Sequence, residues 1–418
     1  MAENTDVKFY MFNNTNAPQL TNSWGCLIDV LDACLVNGFG SQTVSTLTAS
    51  GATVTATFAT AHNFKQHQVI KITGATQTEY NGEFRILSVP NANTITFQLA
   101  TNASSGVATG VISCSLPSLG WQKTYSGTQK AVYKGNGGLD AMYLRVDDSC
   151  ADGAPITGAK FGKITVCDAM SGIDSFDGVQ MPFNASDPNR NHAFANNRHG
   201  WFKWYHATLK IGAPGGYLLE TSEPTAGNRE WIIVGDQSFF VLLNRSNMQE
   251  NSFFTYGFGK VKSILNGSDN YALLVSDAYV TTSGTVWHQI YDPISGGRSD
   301  LRANSHVFYD KAGGANYQRI QRFSMPFVEV NTNVAQGLSI PQYSGAANTI
   351  DSYAVLGKYI GFDIIGYAQN IPVFYLPFIK SLAQIGTHLS FQNDGFVTFL
   401  ANYQEGAQPS YLLNLKER

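Results

Sequence analysis

Along most of this chain apolar and polar positions alternate with a period of two, the spacing of half-buried strands. Thr53, Thr55 and Thr57 alternate with Val54, Ala56 and Phe58, and the habit returns in Val69–Ile72, Phe84–Ile86 and Ile95–Phe97. Turn signals separate these runs at Ser50-Gly51, Gly74, Asn81-Gly82, Pro90-Asn91 and Gly106, so the stretch from Leu47 to Cys114 predicts a self-contained small β module. Asn81-Gly82 predicts a tight turn that needs positive φ. His62 and His67 lack neighbouring ligand residues and read as hydrogen-bonded turn residues.

One segment breaks the period. Trp24, Leu27, Ile28, Leu31 and Leu35 fall at 0, 3, 4, 7 and 11, one face of a helix, with Thr21 or Ser23 placed as N-cap and Gly38 placed to end it. Farther on, Trp231–Val234 and Phe239–Leu243 are continuous apolar runs around Gly235–Ser238, which predicts a hairpin buried on both faces. From Arg319 onward, strands are predicted at Phe323–Val330, Ile360–Tyr367, Ile371–Ile379, Gly395–Tyr403 and Tyr411–Leu415. The fold class expected is mainly β: a multidomain, β-sandwich-like protein with one short N-terminal helix and an inserted small Ig-like β module. The divisions expected are 1–46 for the first strand and helix of a host domain, 47–114 for the inserted module, 115–318 for the rest of the host, and 319–418 for a C-terminal β region.

Composition sharpens this picture. A chain of 418 residues is too long for one compact core. Charged residues make up 14%, against about 25% in ordinary globular chains, which favours strands and turns over solvated helices. With 27 basic and 30 acidic residues, a net charge of −3 and no basic run, neither nucleic acid nor an anionic membrane is an expected partner. The apolar stretch Tyr359 to Ile379 contains Asp363, Asn370, Pro372 and Pro377, costly in hydrocarbon, and reads as core strands. The start, Met1 to Asp6, carries no secretory pattern, so synthesis in the cytoplasm is expected.

Candidate chemistry is sparse. Cys26, Cys34, Cys114, Cys150 and Cys167 form no zinc-type spacing and predict reduced, buried thiols, so no metal and no cofactor is expected. Asp147-Asp148 ends a strand and predicts a turn or cap. His192, His199 and His206 recur every seven residues, but Asn, Gly and Pro around the first two argue against one helix face. Trp201, Trp204 and Tyr205, next to the polar loop Asn184 to Asn191, form the one candidate contact site, a flat aromatic surface for a partner subunit or a sugar ring, set against plain packing in a sheet core. The glycine-rich Ser295–Ser299 and Gly313-Gly314 lead into no phosphate-binding motif and read as surface loop, while Pro326-Phe327 and Phe374–Phe378 are aromatic surfaces suited to cover by another subunit. No nucleophile, zinc-protease or nucleotide signature is present, so no catalytic residues are assigned and an enzyme is not expected.

A resemblance makes the reading more specific. The short first strand, the helix Leu27-Ile-Asp-Val-Leu-Asp-Ala-Cys-Leu-Val-Asn-Gly-Phe-Gly40, the inserted module, Gly120-Trp-Gln-Lys, Tyr125-Ser-Gly-Thr and Tyr143–Asp148, followed by Arg229–Phe240 and Phe258–Lys262, together resemble a family of virion structural proteins of tailed bacteriophages and prophages. The resemblance covers residues 7 to 280. It implies a non-enzymatic structural subunit in the tail, baseplate or head–tail neck, made in the host bacterial cytoplasm and located in the virion. Its expected partners are other virion proteins and copies of itself. The alternatives are a carbohydrate-binding adhesin, with glycan as partner, and a capsid decoration protein. The family carries no catalytic residues over to this sequence.

Overall fold

The protein is mainly β with one short helix near its start, as the period-two pattern predicts. The computed structural model describes residues 3–150, 156–178, 180–181, 192–194, 198–200, 202–211, 217–219, 222–263, 269–277, 292–293, 306–310, 316–320, 355–362, 368–377, 389–401 and 410–418. The polar loop 184–191, Trp201, residues 295–299 and 313–314, the strand expected at 323–330 with its Pro326-Phe327 cluster, and Phe378 lie outside the described residues.

Strand β1 (Lys8–Met11) pairs antiparallel with Trp231–Gly235 from the middle of the chain. Helix α1 (Cys26–Leu31) follows and passes into a π-helical turn, Asp32–Asn37, buried along the face that the spacing marked out. Gly38 closes the segment at φ 72°, where a Cβ would press on the Leu116 carbonyl, so glycine is required there. The expected N-cap is corrected: Gly25 occupies that position and neither Thr21 nor Ser23 caps the helix. The capping acceptor comes instead from Asp148, far away in sequence.

Six strands then close on themselves: β2 (Phe39–Ser50), β3 (Thr53–Phe58), β4 (Val69–Ala75), β5 (Gly82–Asn91), β6 (Thr94–Gln98) and β7 (Gly110–Leu116), in the order β2-β3-β6-β5-β4-β7. Alternation dictates what goes inside. Val54, Ala56 and Phe58 point inward with Leu47, Ile72, Ile86 and Phe97, while the threonines between them face out. Closure leaves no free strand edge. At Asn81-Gly82 the expected positive φ falls on Gly82, at 147°, while Asn81 has φ −89°, ends a 3₁₀ turn, and brackets Ala75 by accepting its N–H at 3.0 Å and donating to its carbonyl at 2.8 Å.

Beyond the barrel, β8 (Gln122–Gly127), β9 (Lys130–Lys134), β10 (Tyr143–Asp147) and β11 (Lys160–Cys167) are neighbours in a second sheet, which continues through Phe202–Ala207 to Ser276–Asp277. Helix α1 lies on one face of it. Gly162 of β11 permits that approach, because a Cβ there would sit 2.8 Å from Leu27 and 3.1 Å from Val146.

The largest sheet runs from β1 through Trp231–Gly235, Phe239–Asn244, Phe254–Ser263, Ala368–Pro377, Ser410–Asn414 and Phe396–Leu400 to Leu389–Phe391. The predicted hairpin is there, and every residue of Trp231–Gly235 and Phe239–Asn244 is buried. Strands from the end of the chain therefore complete the sheet that β1 begins. A single apolar cluster joins α1 (Leu27, Leu31), the barrel (Val54, Phe97), the second sheet (Leu144, Ile164) and the largest sheet (Trp231, Phe240). Among the described residues no helix is long and apolar enough to cross a membrane, and Tyr359 to Ile379 contributes to strands Val355–Phe362 and Ala368–Pro377.

Candidate functional site

Three chemistry-bearing side chains from three elements converge under the start of α1. Cys26 opens the helix, Asp148 follows the last residue of β10, and His206 lies in strand Phe202–Ala207. His206 and Asp148 are fully buried and Cys26 is 8% exposed. His206 Nε2 lies 2.8 Å from Asp148 Oδ1, and its Nδ1 lies 3.5 Å from Cys26 Sγ and 3.1 Å from the Thr21 carbonyl. The second oxygen of Asp148 accepts the N–H groups of Gly25 at 2.8 Å and Leu27 at 3.0 Å.

The electrostatics follow from this geometry. Burial pulls the His206 imidazole down, but the neighbouring Asp148 carboxylate and Cys26 sulfur outweigh it and hold the ring well above its ordinary value. Burial pushes the Cys26 thiol up, yet His206 beside it brings it below its usual range. Cys34 shows what the pair changes: it is buried without a charged partner, and its thiol is driven well above the ordinary value.

A thiol, an imidazole and a carboxylate in line have the roles of nucleophile, base and orienter. An acyl-transfer site also needs donors for the developing oxyanion. The N–H groups flanking Cys26, those of Gly25 and Leu27, are already committed to Asp148. The cluster therefore ties helix to sheet, and Cys26, Asp148 and His206 are also the three described residues whose ligand atoms come close enough together to hold a metal ion.

None of this was expected of the histidine trio. His206 joins Cys26 and Asp148, whereas His192 and His199 belong to a separate hairpin, His192–Phe194 with Arg198–Gly200. The aromatic contact site also needs correction. Trp204 is fully buried, donates from Nε1 to the Leu274 carbonyl at 2.8 Å, stacks on Tyr256 and meets Phe240 edge-on. Tyr205, 1% exposed, packs edge-on to Phe161. Alternation in this strand puts one ring on each face, and both faces are covered, so these two rings offer no flat outer surface.

A second polar constellation joins the barrel to the chain ends. Arg85 of β5, 3% exposed, donates to the carbonyls of Asn4 at 2.6 Å, Val7 at 2.9 Å, His67 at 2.7 Å and Leu415 at 3.1 Å. Burial brings its guanidinium down to about 10, so the charge is retained at neutral pH. Beside it, Gln68 donates to the Phe9 carbonyl at 3.1 Å and to Asn14 Oδ1 at 2.9 Å, and Lys8 pairs with Glu83 at 2.8 Å. His62 and His67 serve as hydrogen-bonded loop residues here: His62 Nδ1 accepts from the Phe64 N–H, and His67 Nε2 lies 2.9 Å from the Asn393 carbonyl. A cleft of about 420 Å³ opens along this seam, lined by Phe12, Lys65, His67, Glu230 and Phe391 among others.

Compared with protein-family models, curated proteins and solved structures, the chain matches none.

Proposed function

We propose that this protein is a non-enzymatic structural subunit of a tailed-phage particle, in the tail, baseplate or head–tail neck, and that it works by repeated contacts with copies of itself and with other virion proteins. Its place in a phage rests on the resemblance of residues 7 to 280. Its mode of action rests on one observation, the charge-free outer face that the neighbouring strands β7, β2, β3 and β6 give one side of the barrel, Lys71 and Glu83 lying on β4 and β5. No Lys, Arg, Asp or Glu occurs between Asp32 and Lys65 or between Arg85 and Lys123. Across β2, β3 and β6 the register aligns Thr48, Thr55 and Thr96 in one row and Thr46, Thr57 and Thr94 in the next. Val107 is 55% exposed and Val111 85% exposed.

Hydroxyl and methyl groups are cheap to take out of water compared with charges, and interface cores are depleted of charge. This face is therefore suited to being covered by another subunit. The finer description of the fold, β-sandwich-like units with an Ig-like module, belongs with this proposal, and the closed six-strand order is the observation it has to accommodate. The adhesin alternative loses two of its three stacking rings to the core, Trp204 and Tyr205.

Light scattering and negative-stain imaging of the purified chain test the reading. Closed, symmetric oligomers are expected, and a Thr48→Lys, Val111→Lys double variant should dissociate them while keeping its fold. A chain that stays monomeric at every concentration, and whose peptides are missing from purified virions, would end it.

A further inference from the structure

We propose that Thr21, Cys26 and His206 form a binding site for one zinc-class divalent cation, with Asp148 holding the histidine in place. The three donors make a triangle. His206 Nδ1 is 3.5 Å from Cys26 Sγ and 3.1 Å from the Thr21 carbonyl oxygen, and that oxygen is 3.7 Å from the sulfur. Zinc takes sulfur at about 2.3 Å and nitrogen or oxygen at about 2.0–2.2 Å in tetrahedral array, which sets its ligands about 3.3–3.6 Å apart. The three edges match one face of such a tetrahedron to within about 0.3 Å, so a cation can enter with little side-chain movement.

The far side of the ring carries an independent sign. Metal-bound histidines almost always give their other N–H to a carboxylate, a backbone carbonyl or water, which fixes the tautomer and the ring plane. Asp148 Oδ1 stands 2.8 Å from Nε2, while Asp148 is itself held by the N–H groups of Gly25 and Leu27. Without a cation Nδ1–H donates to the Thr21 carbonyl, and a cation entering the triangle takes that proton's place on Nδ1. The charges also balance: once the cation has displaced the imidazole proton, the buried thiolate and carboxylate leave two negative charges for a divalent cation to neutralise. A route in exists on the Thr21 side, where Thr21 and Asn22 are partly exposed and Ser23 is exposed.

The full chain, stripped of metal with a chelator, is titrated with Co²⁺ and separately with Zn²⁺. One equivalent of Co²⁺ should produce a sulfur-to-metal charge-transfer band in the near ultraviolet and visible bands of tetrahedral intensity, and Zn²⁺ should displace it. Cys26→Ser should abolish the charge-transfer band and weaken Zn²⁺ binding at least about 100-fold, and Asp148→Asn should weaken it about 10–100-fold. Zn²⁺ should raise the melting temperature of the wild-type chain and leave that of Cys26→Ser unchanged. Circular dichroism of each variant separates lost binding from lost folding, and Cys34→Ser is the control that keeps the band. No saturable band in the wild-type chain, or a band of undiminished intensity in folded Cys26→Ser, overturns the proposal.

Discussion

Asp148 and His206 meet at 2.8 Å with neither side chain exposed to water. The contact joins the end of β10 to strand Phe202–Ala207, and through the second carboxylate oxygen it also caps α1, whose own N-cap residue has no side chain. Asp148→Ala leaves a buried imidazole and two helix N–H groups without their partner. The expected loss is about 3–5 kcal/mol, the cost of breaking a buried pair from one side. Asp148→Asn keeps an acceptor for the N–H groups and should lose less, about 1–3 kcal/mol. Urea unfolding followed by circular dichroism distinguishes the two. Equal losses would mean that the retained amide acceptor contributes nothing and the charge of Asp148 carries the whole effect.

Arg85 makes a different kind of prediction, because its partners are carbonyls at opposite ends of the chain. Removing it strands the carbonyls of Val7, His67 and Leu415 in a buried seam. Arg85→Ala should cost about 3 kcal/mol or more at about 1 kcal/mol or more per orphaned acceptor. Arg85→Lys should recover only part, since a single ammonium cannot span the fork. Hydrogen exchange should show residues 7–11 and 411–415 opening together in Arg85→Ala. Exchange that speeds up at one end alone would refute the joint role.

The acid limb of stability should depend on Asp147. Burial pushes its carboxyl up, but Lys163 Nζ at 3.1 Å and Arg145 Nη2 at 3.2 Å outweigh that and hold it below the ordinary carboxylate range. A folded-state value below the unfolded one, about 3.9, means the contribution is complete above that pH and lost as pH falls through the folded value. Lys163→Met should therefore cost about 3 kcal/mol near neutral pH, with the difference from wild type shrinking in acid as Asp147 takes up a proton. Paired urea melts across the acid range would show it, and a pH-independent difference would rule out the ion pair as the cause.

How far the sequence carried the fold depended on the range of the interaction. Period-two alternation placed Val54, Ala56 and Phe58 inside the barrel, and continuous apolar runs placed Trp231–Val234 at the centre of a sheet, because each pattern is read by its own strand. The helix face was legible for the same reason. Its cap was not: local rules look for Ser or Thr beside the helix, and Asp148 arrives from the end of β10. Cys26, Asp148 and His206 share no spacing, so their meeting is a product of topology alone. The one local clue was the Asp147-Asp148 pair, which read as a turn or cap. Trp204 and Tyr205 failed as a surface because alternation describes a strand with one wet face equally well as one buried on both.

Gly162 is the seat of α1 on the second sheet, and it gives a sharp steric test. A methyl group there would press on Leu27 at 2.8 Å and Val146 at 3.1 Å. Gly162→Ala should cost about 1–3 kcal/mol by overpacking, and Leu27→Ala in the same chain should return part of it by making room. A Gly162→Ala variant as stable as wild type would show that the helix can lift without loss.

The barrel looks removable from its pattern alone, since turn signals bracket it and its strands close on themselves. Its outer contacts point the other way. Deleting 47–114 with a short Gly/Ser bridge removes Arg85, which holds the carbonyls of Asn4, Val7 and Leu415, and Gln68, which holds Asn14 and the Phe9 carbonyl. It also removes Glu83 from Lys8 and uncovers Leu35 and Tyr10, which share an apolar cluster with the barrel interior. At about 1 kcal/mol for each of these hydrogen bonds and about 25 cal/mol per Å² of newly exposed apolar surface, the loss rivals the whole stability of a typical domain, about 5–15 kcal/mol. The deletion variant should therefore fail to give a cooperative melt and should expose β1 to proteolysis. A milder variant, Arg85→Ala with Gln68→Ala, isolates the seam from the lost core and should melt cooperatively at a lower temperature. If the deletion variant were instead soluble, cooperative and protease-resistant, the barrel would be an appendage, and the chain ends would be held by the strands of the largest sheet alone.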